Sequence, residues 1–221
     1  MSHIVVTGAA GVLGNAVAHF LIEQGHDVTG VDLAGQTNDF AGTFIGSVDL
    51  TTAEGAASAA RKILANGQVD GLVNIAGGFR WETIADGSPE SWEFLHRINV
   101  MTALHMSRSL LASLVLAKGA IVNVGAAATL KAGSGMGAYT ASKSGVARLT
   151  EALAEELKDE GVRVNAVLPS IIDTPANRAD MGETDAAKWV APCELAQVIA
   201  FLLSDAASAI TGANIPVTGR V

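Results

Sequence analysis

Val5–Val17 reads VVTGAAGVLGNAV: an apolar β-branched run, a glycine-rich turn, then a helical pattern. Gly8, Gly11 and Gly14 fall between strand and helix with the spacing G-x-x-G-x-x-G. Glycine at such a junction lets the backbone turn tightly and approach a pyrophosphate, whose charge is favoured at a helix N-terminus. The spacing departs from the commonest dinucleotide fingerprint, and taken alone it also describes a plain strand-to-helix turn. The second strand adds weight. Asp32 stands eighteen residues past Gly14 at the end of TGVDL, where a carboxylate can accept hydrogen bonds from the adenosine ribose hydroxyls. It would repel a 2′-phosphate, and no Arg or Lys follows closely enough to neutralise one. The other reading of Asp32 is a solvated turn residue. NAD(H) is therefore expected over NADP(H).

Outward from this stretch, apolar strand-like runs alternate with helical patterns. Strands are expected in HIVVT (3–7), DVTGVDL (27–33), TFIGSVDL (43–50), VDGLVNIAG (69–77), AIVNVG (120–125), VRVNAVLP (162–169) and NIPVTG (214–219). Helices are expected over 12–25, 52–67, 89–117, 138–160 and 193–204, with Gly25 and Gly67 as stop signals. This alternation implies one α/β domain over 1–221, a Rossmann-like, doubly wound and mostly parallel seven-stranded sheet with helices on both faces.

Composition agrees. Apolar residues make up 49% of the 221 and charged residues 16%, which suits strands buried on both faces. A net charge of −8 argues against nucleic acid or an anionic membrane as partner. The single Cys193 excludes an internal disulfide and fits a reducing compartment. The start MSHIVVTGAAG lacks a basic region, so a cytoplasmic protein is expected. LLASLVLAKGAIVNVGAAA is interrupted by Lys118, Gly119 and Asn123 and makes a poor membrane span. The five histidines show no ligand spacing, so no metal site is expected.

In open α/β sheets ligands bind beyond the carboxyl ends of the strands. That places Asp49 and Leu50, and Asn74, Ala76 and Gly77 of NIAGG, near a bound dinucleotide, though each is also an ordinary loop residue. Tyr139 and Lys143 are four apart near a helix start and share a face. An ammonium about 4 Å from a phenol, at an effective dielectric of about 20, attracts its anion by roughly 4 kcal/mol. That is about three pKa units, enough to bring the phenol toward neutrality for proton transfer. On spacing alone a surface helix pair explains the two residues as well.

The order of the parts is more specific. TGAAGVLG (7–14), VDL (31–33 and 48–50), NIAGG (74–78), INV (98–100), YTASK (139–143), VNAVLPSIIDTP (164–175) and ITGANIPVTG (210–219) resemble the short-chain dehydrogenase/reductase family over essentially the whole chain. The resemblance implies an oxidoreductase that transfers a hydride between a nicotinamide and a small-molecule substrate. Tyr139 would give or take the proton, and Lys143 would bind the nicotinamide ribose. Asn99 would help hold a relay water. The dinucleotide would lie on Gly8, Ala10, Gly11, Val12, Leu13 and Gly14, on Asp32, Leu33, Asp49 and Leu50, and on Asn74, Ala76 and Gly77. Tyr139, Lys143, Pro169, Ile172 and Thr174 would complete that set. The family usually forms homodimers or homotetramers through its two long helices.

One departure stands out. The serine that most of the family carries thirteen residues before the tyrosine is Ala126 here, and Thr129 is the nearest hydroxyl after it. The dihydropteridine reductase branch has alanine there too. It also shares GMxxY (Gly135–Tyr139), an AGG-plus-aromatic stretch like AGGFRW (76–81), and a stretch like LPSIIDTPANRADM (168–181). That branch reduces a planar quinonoid pterin with NADH, which Phe79 and Trp81 could flank by stacking. Both aromatics could equally pack a mobile lid. A non-catalytic NAD(H)-binding sensor or scaffold is the alternative of a different class, and the retention of Tyr139, Lys143 and Asn99 argues against it.

Overall fold

The computed structural model describes residues 1–35 and 40–221. Its strands are β1 (His3–Thr7), β2 (Asp27–Val31), β3 (Thr43–Ile45), β4 (Gly71–Asn74), β5 (Ala120–Val124), β6 (Arg163–Pro169) and β7 (Asn214–Val217). They form one sheet in the order β3-β2-β1-β4-β5-β6-β7, and every adjacent pair is parallel. The order reverses direction between β1 and β4, which opens a crevice at their carboxyl ends, the position where such sheets take ligands.

Successive strand residues feed opposite cores. Val5, Leu72, Ile121 and Val164 point to the face covered by α2 (Ala53–Leu64), α4 (Thr102–Ala117) and α5 (Gly137–Leu157). Ile4, Val6, Val73 and Val122 point to the face covered by α1 (Val12–Glu23) and α7 (Pro192–Leu203). Both faces are covered, which is why the strands read as continuous apolar runs rather than alternating ones. Fully buried Leu21, Leu72, Leu110, Ile121 and Ile199 each contribute about 2 kcal/mol of apolar transfer.

The local stop signals act as expected. Gly25, at φ 85, ends α1 through hydrogen bonds from Gly25 N to Ile22 O and from His26 N to Leu21 O. The Thr52 hydroxyl caps α2 by accepting from Gly55 N at 3.1 Å. The third strand is shorter than the run that carries it: pairing ends at Ile45, and Ser47 at φ 58 turns the chain so that Asp49 lies beyond the sheet.

The expected single helix over 89–117 carries an interruption. It consists of α3 (Pro89–His96), a π-helical turn over Arg97–Met101, and α4. By length and composition this run would suffice to cross a membrane. In the fold it lies across the sheet, with Met106, Leu110 and Leu114 fully buried. Single π-turns inside α-helices collect at functional sites, and this one holds Asn99.

Candidate active site

A cleft of about 660 Å³ opens along the carboxyl ends of β1, β2 and β4. Its lining includes Gly8, Ala10, Gly11, Val12, Leu13, Gly14, Asp32, Leu33, Asp49, Leu50, Ala76, Gly77 and Thr174, all named from sequence. The glycine turn is packed to backbone contact. A methyl on Gly14 would sit 2.1 Å from Gly8 O, and one on Gly8, at φ 68, would sit 2.8 Å from Ala76 N. The first turn of α1 has no side-chain cap and no acidic residue of its own, so its leading amides are left for an anion. These features fit a dinucleotide lying along the turn.

Asp32 lines the cleft beyond the end of β2. One carboxylate oxygen accepts from Ala10 N at 2.9 Å and the other from Ala34 N at 2.9 Å, which ties the glycine turn to the end of β2. Asp49 accepts from the Thr51 amide and hydroxyl at 2.9 and 2.7 Å, and these bonds hold its carboxyl below the usual carboxylate range.

Asn74 is elsewhere. Its side chain is buried, with Nδ2 donating to Asn123 Oδ1 at 2.9 Å and Ser107 Oγ at 3.1 Å. A residue at the end of a strand buried on both faces points into one of its cores, and Asn74 points away from the cleft. Pro169 is the buried last residue of β6, and Ile172 forms a parallel bridge to Val190. Among the described residues neither lines the cleft; they lie at the end of β6 and on the chain leading to the next helix. Thr174 caps α6 (Pro175–Met181), its hydroxyl accepting from Asn177 N at 3.2 Å.

Beside Tyr139, the Asn99 side chain is a clamp. Its Oδ1 accepts from Gly78 N at 2.9 Å, and its Nδ2 donates to Gly78 O at 3.0 Å and to Ser142 Oγ at 2.9 Å. Ser142 Oγ in turn donates to Tyr139 O at 2.7 Å. Sequence reasoning missed Ser142, although its place three residues after Tyr139 on the same helix face signalled it. It also missed Thr7, whose hydroxyl accepts from Ile75 N at 3.1 Å and Ala76 N at 3.2 Å and so holds the chain leaving β4 against β1. The two aromatics separate. Phe79 packs edge-on against Tyr139, with centroids 4.9 Å apart and planes at 83°. Trp81 lies on Gly135, where a methyl would come within 2.2 Å of its ring.

Ala126 is buried and offers no hydroxyl at its position. Thr129 does not replace one freely, because its hydroxyl donates to Ala126 O at 2.8 Å within a short turn over Ala127–Leu130.

Lys143 is buried, and its Nζ donates to Val124 O at 2.8 Å. A methyl on Gly77 would stand 3.6 Å from that nitrogen, so the ammonium lies at the cleft wall. Burial pushes Lys143 down to about 8 and pushes the half-buried Tyr139 phenol up to about 12. The expectation that the ammonium draws the phenol toward neutrality is overturned: the loss of water around a phenolate outweighs the attraction of an ammonium engaged with Val124 O. At neutral pH both groups carry their protons. Among the described residues the Tyr139 hydroxyl has no hydrogen-bond partner, so it can donate to a substrate oxygen, and Lys143 stands by to stabilise the phenolate left behind.

The Lys143 shift has a measurable signature. Between about 8 and the ordinary 10.5 the unfolded chain holds a proton that the native lysine has released, so stability rises with pH. The stability of the wild type minus that of Lys143→Met is expected to grow across this window and to stay level below it. Denaturant unfolding followed by Trp fluorescence measures it, and a difference that ignores pH would contradict the buried ammonium.

The comparisons with known proteins accord with this geometry. The family model described as enoyl-(acyl carrier protein) reductase matches residues 8–219. A 3-oxoacyl-(acyl-carrier-protein) reductase of Vibrio cholerae is 29% identical over 97% of this chain and 95% of its own length. A short-chain dehydrogenase/reductase of Talaromyces verruculosus is 30% identical over 97% and 94%. The ligand-free structure of aldohexose dehydrogenase from Thermoplasma acidophilum superimposes with a TM-score of 0.91 at 25% identity, covering 99% of this chain and 93% of that one.

Proposed function

The chain belongs to the short-chain dehydrogenase/reductase family, and from that premise we propose that it is an NAD(H)-dependent oxidoreductase acting on a small carbonyl or alcohol. The observation that carries this reading is the Tyr139 hydroxyl: protonated at neutral pH, unpaired among the described residues, and set one helical turn from the buried Lys143. A bound nicotinamide would supply the hydride chemistry. Tyr139 gives the proton to the substrate oxygen in reduction and takes it in oxidation. Lys143 steadies the charge on the phenol oxygen, and Asn99 with Ser142 holds the helix turn that carries both. Asp32 supports NAD(H): a carboxylate lining the cleft at the end of β2 could accept from a ribose 2′-hydroxyl and would repel a 2′-phosphate. The same reading makes the protein a cytoplasmic homo-oligomer joined through α4 and α5, whose outer faces leave residues such as Leu116 in solvent.

Ala126 favours a second reading within the same chemistry. Where a serine would help bind a developing oxyanion there is only a methyl, which suits a planar conjugated substrate whose charge is spread out, as in dihydropteridine-reductase-like reduction of a quinonoid dihydropterin.

The test is oxidation of NADH and NADPH, followed by absorbance, with ketones, quinones and quinonoid dihydropterin. Faster turnover with NADH is expected, and equal rates with NADPH would sink the preference drawn from Asp32. Ala126→Ser is expected to raise kcat/KM on simple ketones by about tenfold or more, as the added donor reaches the substrate oxygen. An unchanged value would remove position 126 from the substrate. NADH binding without turnover of any substrate would favour the non-catalytic sensor.

A further inference from the structure

Tyr139 is the sole tyrosine in 221 residues, and its ring is met by that of Phe79. Phe79 meets the phenol edge-on, with ring centroids 4.9 Å apart. The loop that carries Phe79 is pinned on both sides of it. Before it, both backbone groups of Gly78 are held by the Asn99 amide at 2.9 and 3.0 Å. After it, Trp81 lies on Gly135, and Glu82 N donates to Gly135 O at 3.0 Å. Gly135 sits at φ 72, so the loop carrying Tyr139 accepts that indole only because it has no side chain there. A closed ring of contacts results: Tyr139 O to Ser142 Oγ, Ser142 Oγ to Asn99, Asn99 to Gly78, and Phe79 back to the phenol.

We propose that Phe79 is the positioning residue of Tyr139, the aromatic wall that holds the phenol ring at one angle. The inference rests on the reading of Tyr139 as the acid and base. An edge-on pair fixes the plane of a ring that its own helix leaves free to turn, and aromatic pairs in this arrangement add about 1 kcal/mol beyond the area they bury. Phe79 is more than half exposed, so it supports no core and truncating it leaves the folded sheet untouched. The same contact covers part of the phenol ring. Lys143, one helical turn along α5, is the charged neighbour on Tyr139's own helix, while Phe79, Gly78, Asn99 and Ser142 are uncharged.

The test uses cofactor-free protein carrying ¹³C-labelled tyrosine, so that one set of ring resonances reports on Tyr139 alone. Phe79→Ala and the bulk-retaining Phe79→Leu are both expected to remove the ring-current displacement of those resonances at neutral pH. Tyrosinate absorbance should begin at a lower pH than in the wild type, whose phenol titrates at about 12, and the fall should be larger for Ala than for Leu. In turnover, kcat is expected to fall about tenfold for Phe79→Ala with KM little changed, since the misplaced group acts in the transition state. Unchanged tyrosine resonances in both variants would overturn the proposal whatever the turnover shows. Moved resonances with an unchanged kcat would also overturn it, reducing Phe79 to packing. Turnover retained in Tyr139→Phe would instead remove the acid and base reading, while the resonance shifts would still stand.

Discussion

Tyr139→Phe is expected to lower turnover by on the order of a hundredfold to ten-thousandfold, the usual contribution of a positioned acid or base. The substitution deletes one oxygen that has no protein partner among the described residues, so it strands no donor or acceptor. The ring remains, and with it the edge contact to Phe79. The Tyr139 carbonyl still accepts from Ser142. Folding and dinucleotide affinity should therefore match the wild type, as read by thermal unfolding and by quenching of Trp fluorescence with NADH. A matching loss of affinity would mean that the phenol holds the cofactor rather than moving a proton.

Gly14→Ala should produce the second large effect, on binding and stability together. Alanine is favoured over glycine inside a helix by about 1 kcal/mol, so propensity alone would stabilise α1. Sterics oppose it. The methyl would stand 2.1 Å from Gly8 O and 2.7 Å from Gly8 C, both backbone atoms. Gly8 cannot retreat, because its own α-carbon lies against Ala76 on the chain leaving β4. Overpacking with no room to relax costs about 1–3 kcal/mol and sometimes more, which outweighs the propensity gain. Stability is expected to fall by about 2 kcal/mol, and NADH affinity by at least about tenfold, as the turn that receives the pyrophosphate is pushed open. Gly25→Ala is the control: it meets nothing within 4 Å and strains only its φ of 85, so it should cost stability without touching affinity. Isothermal titration with NADH separates the two, and equal affinity in Gly14→Ala would show that the turn does not carry the phosphates.

How far the site could be read in advance depended on what kind of atom does the work. Gly8, Gly11 and Gly14 were legible because a strand-to-helix turn in backbone contact leaves a mark that only glycine can make. Asp32 was legible because the end of β2 must face the crevice once the sheet is parallel. Tyr139 and Lys143 were legible because four residues along a helix return to one face. Asn74 was not. In a strand buried on both sides the apolar pattern is nearly continuous, so it does not say which way a polar residue at the strand end points. Asn99 was found in the right helix, but the π-turn that turns it toward Gly78 and Ser142 leaves no periodicity signal over five residues.

The aromatics show the same divide. AGGFRW offered two rings of one chemical kind, and only packing separates them: Trp81 rests on Gly135, while Phe79 rests on the phenol. The proton chemistry divides likewise. The spacing of Tyr139 and Lys143 announced a coupled pair, yet the sign of the phenol's shift depended on burial and on the Val124 carbonyl that occupies the ammonium.

By itself the sequence determined the alternating parallel sheet, the glycine turn at its cleft, the pairing of Tyr139 with Lys143 along one helix and the missing hydroxyl at Ala126. Each of these follows from periodicity or from a local backbone requirement. Tertiary structure alone decided which polar side chains face the cleft, what holds Asn99, which aromatic meets Tyr139, and that both proton-bearing groups are charged or neutral as burial dictates. Those outcomes are set by atoms brought together from distant parts of the chain, where desolvation and contact distance leave no trace in residue order.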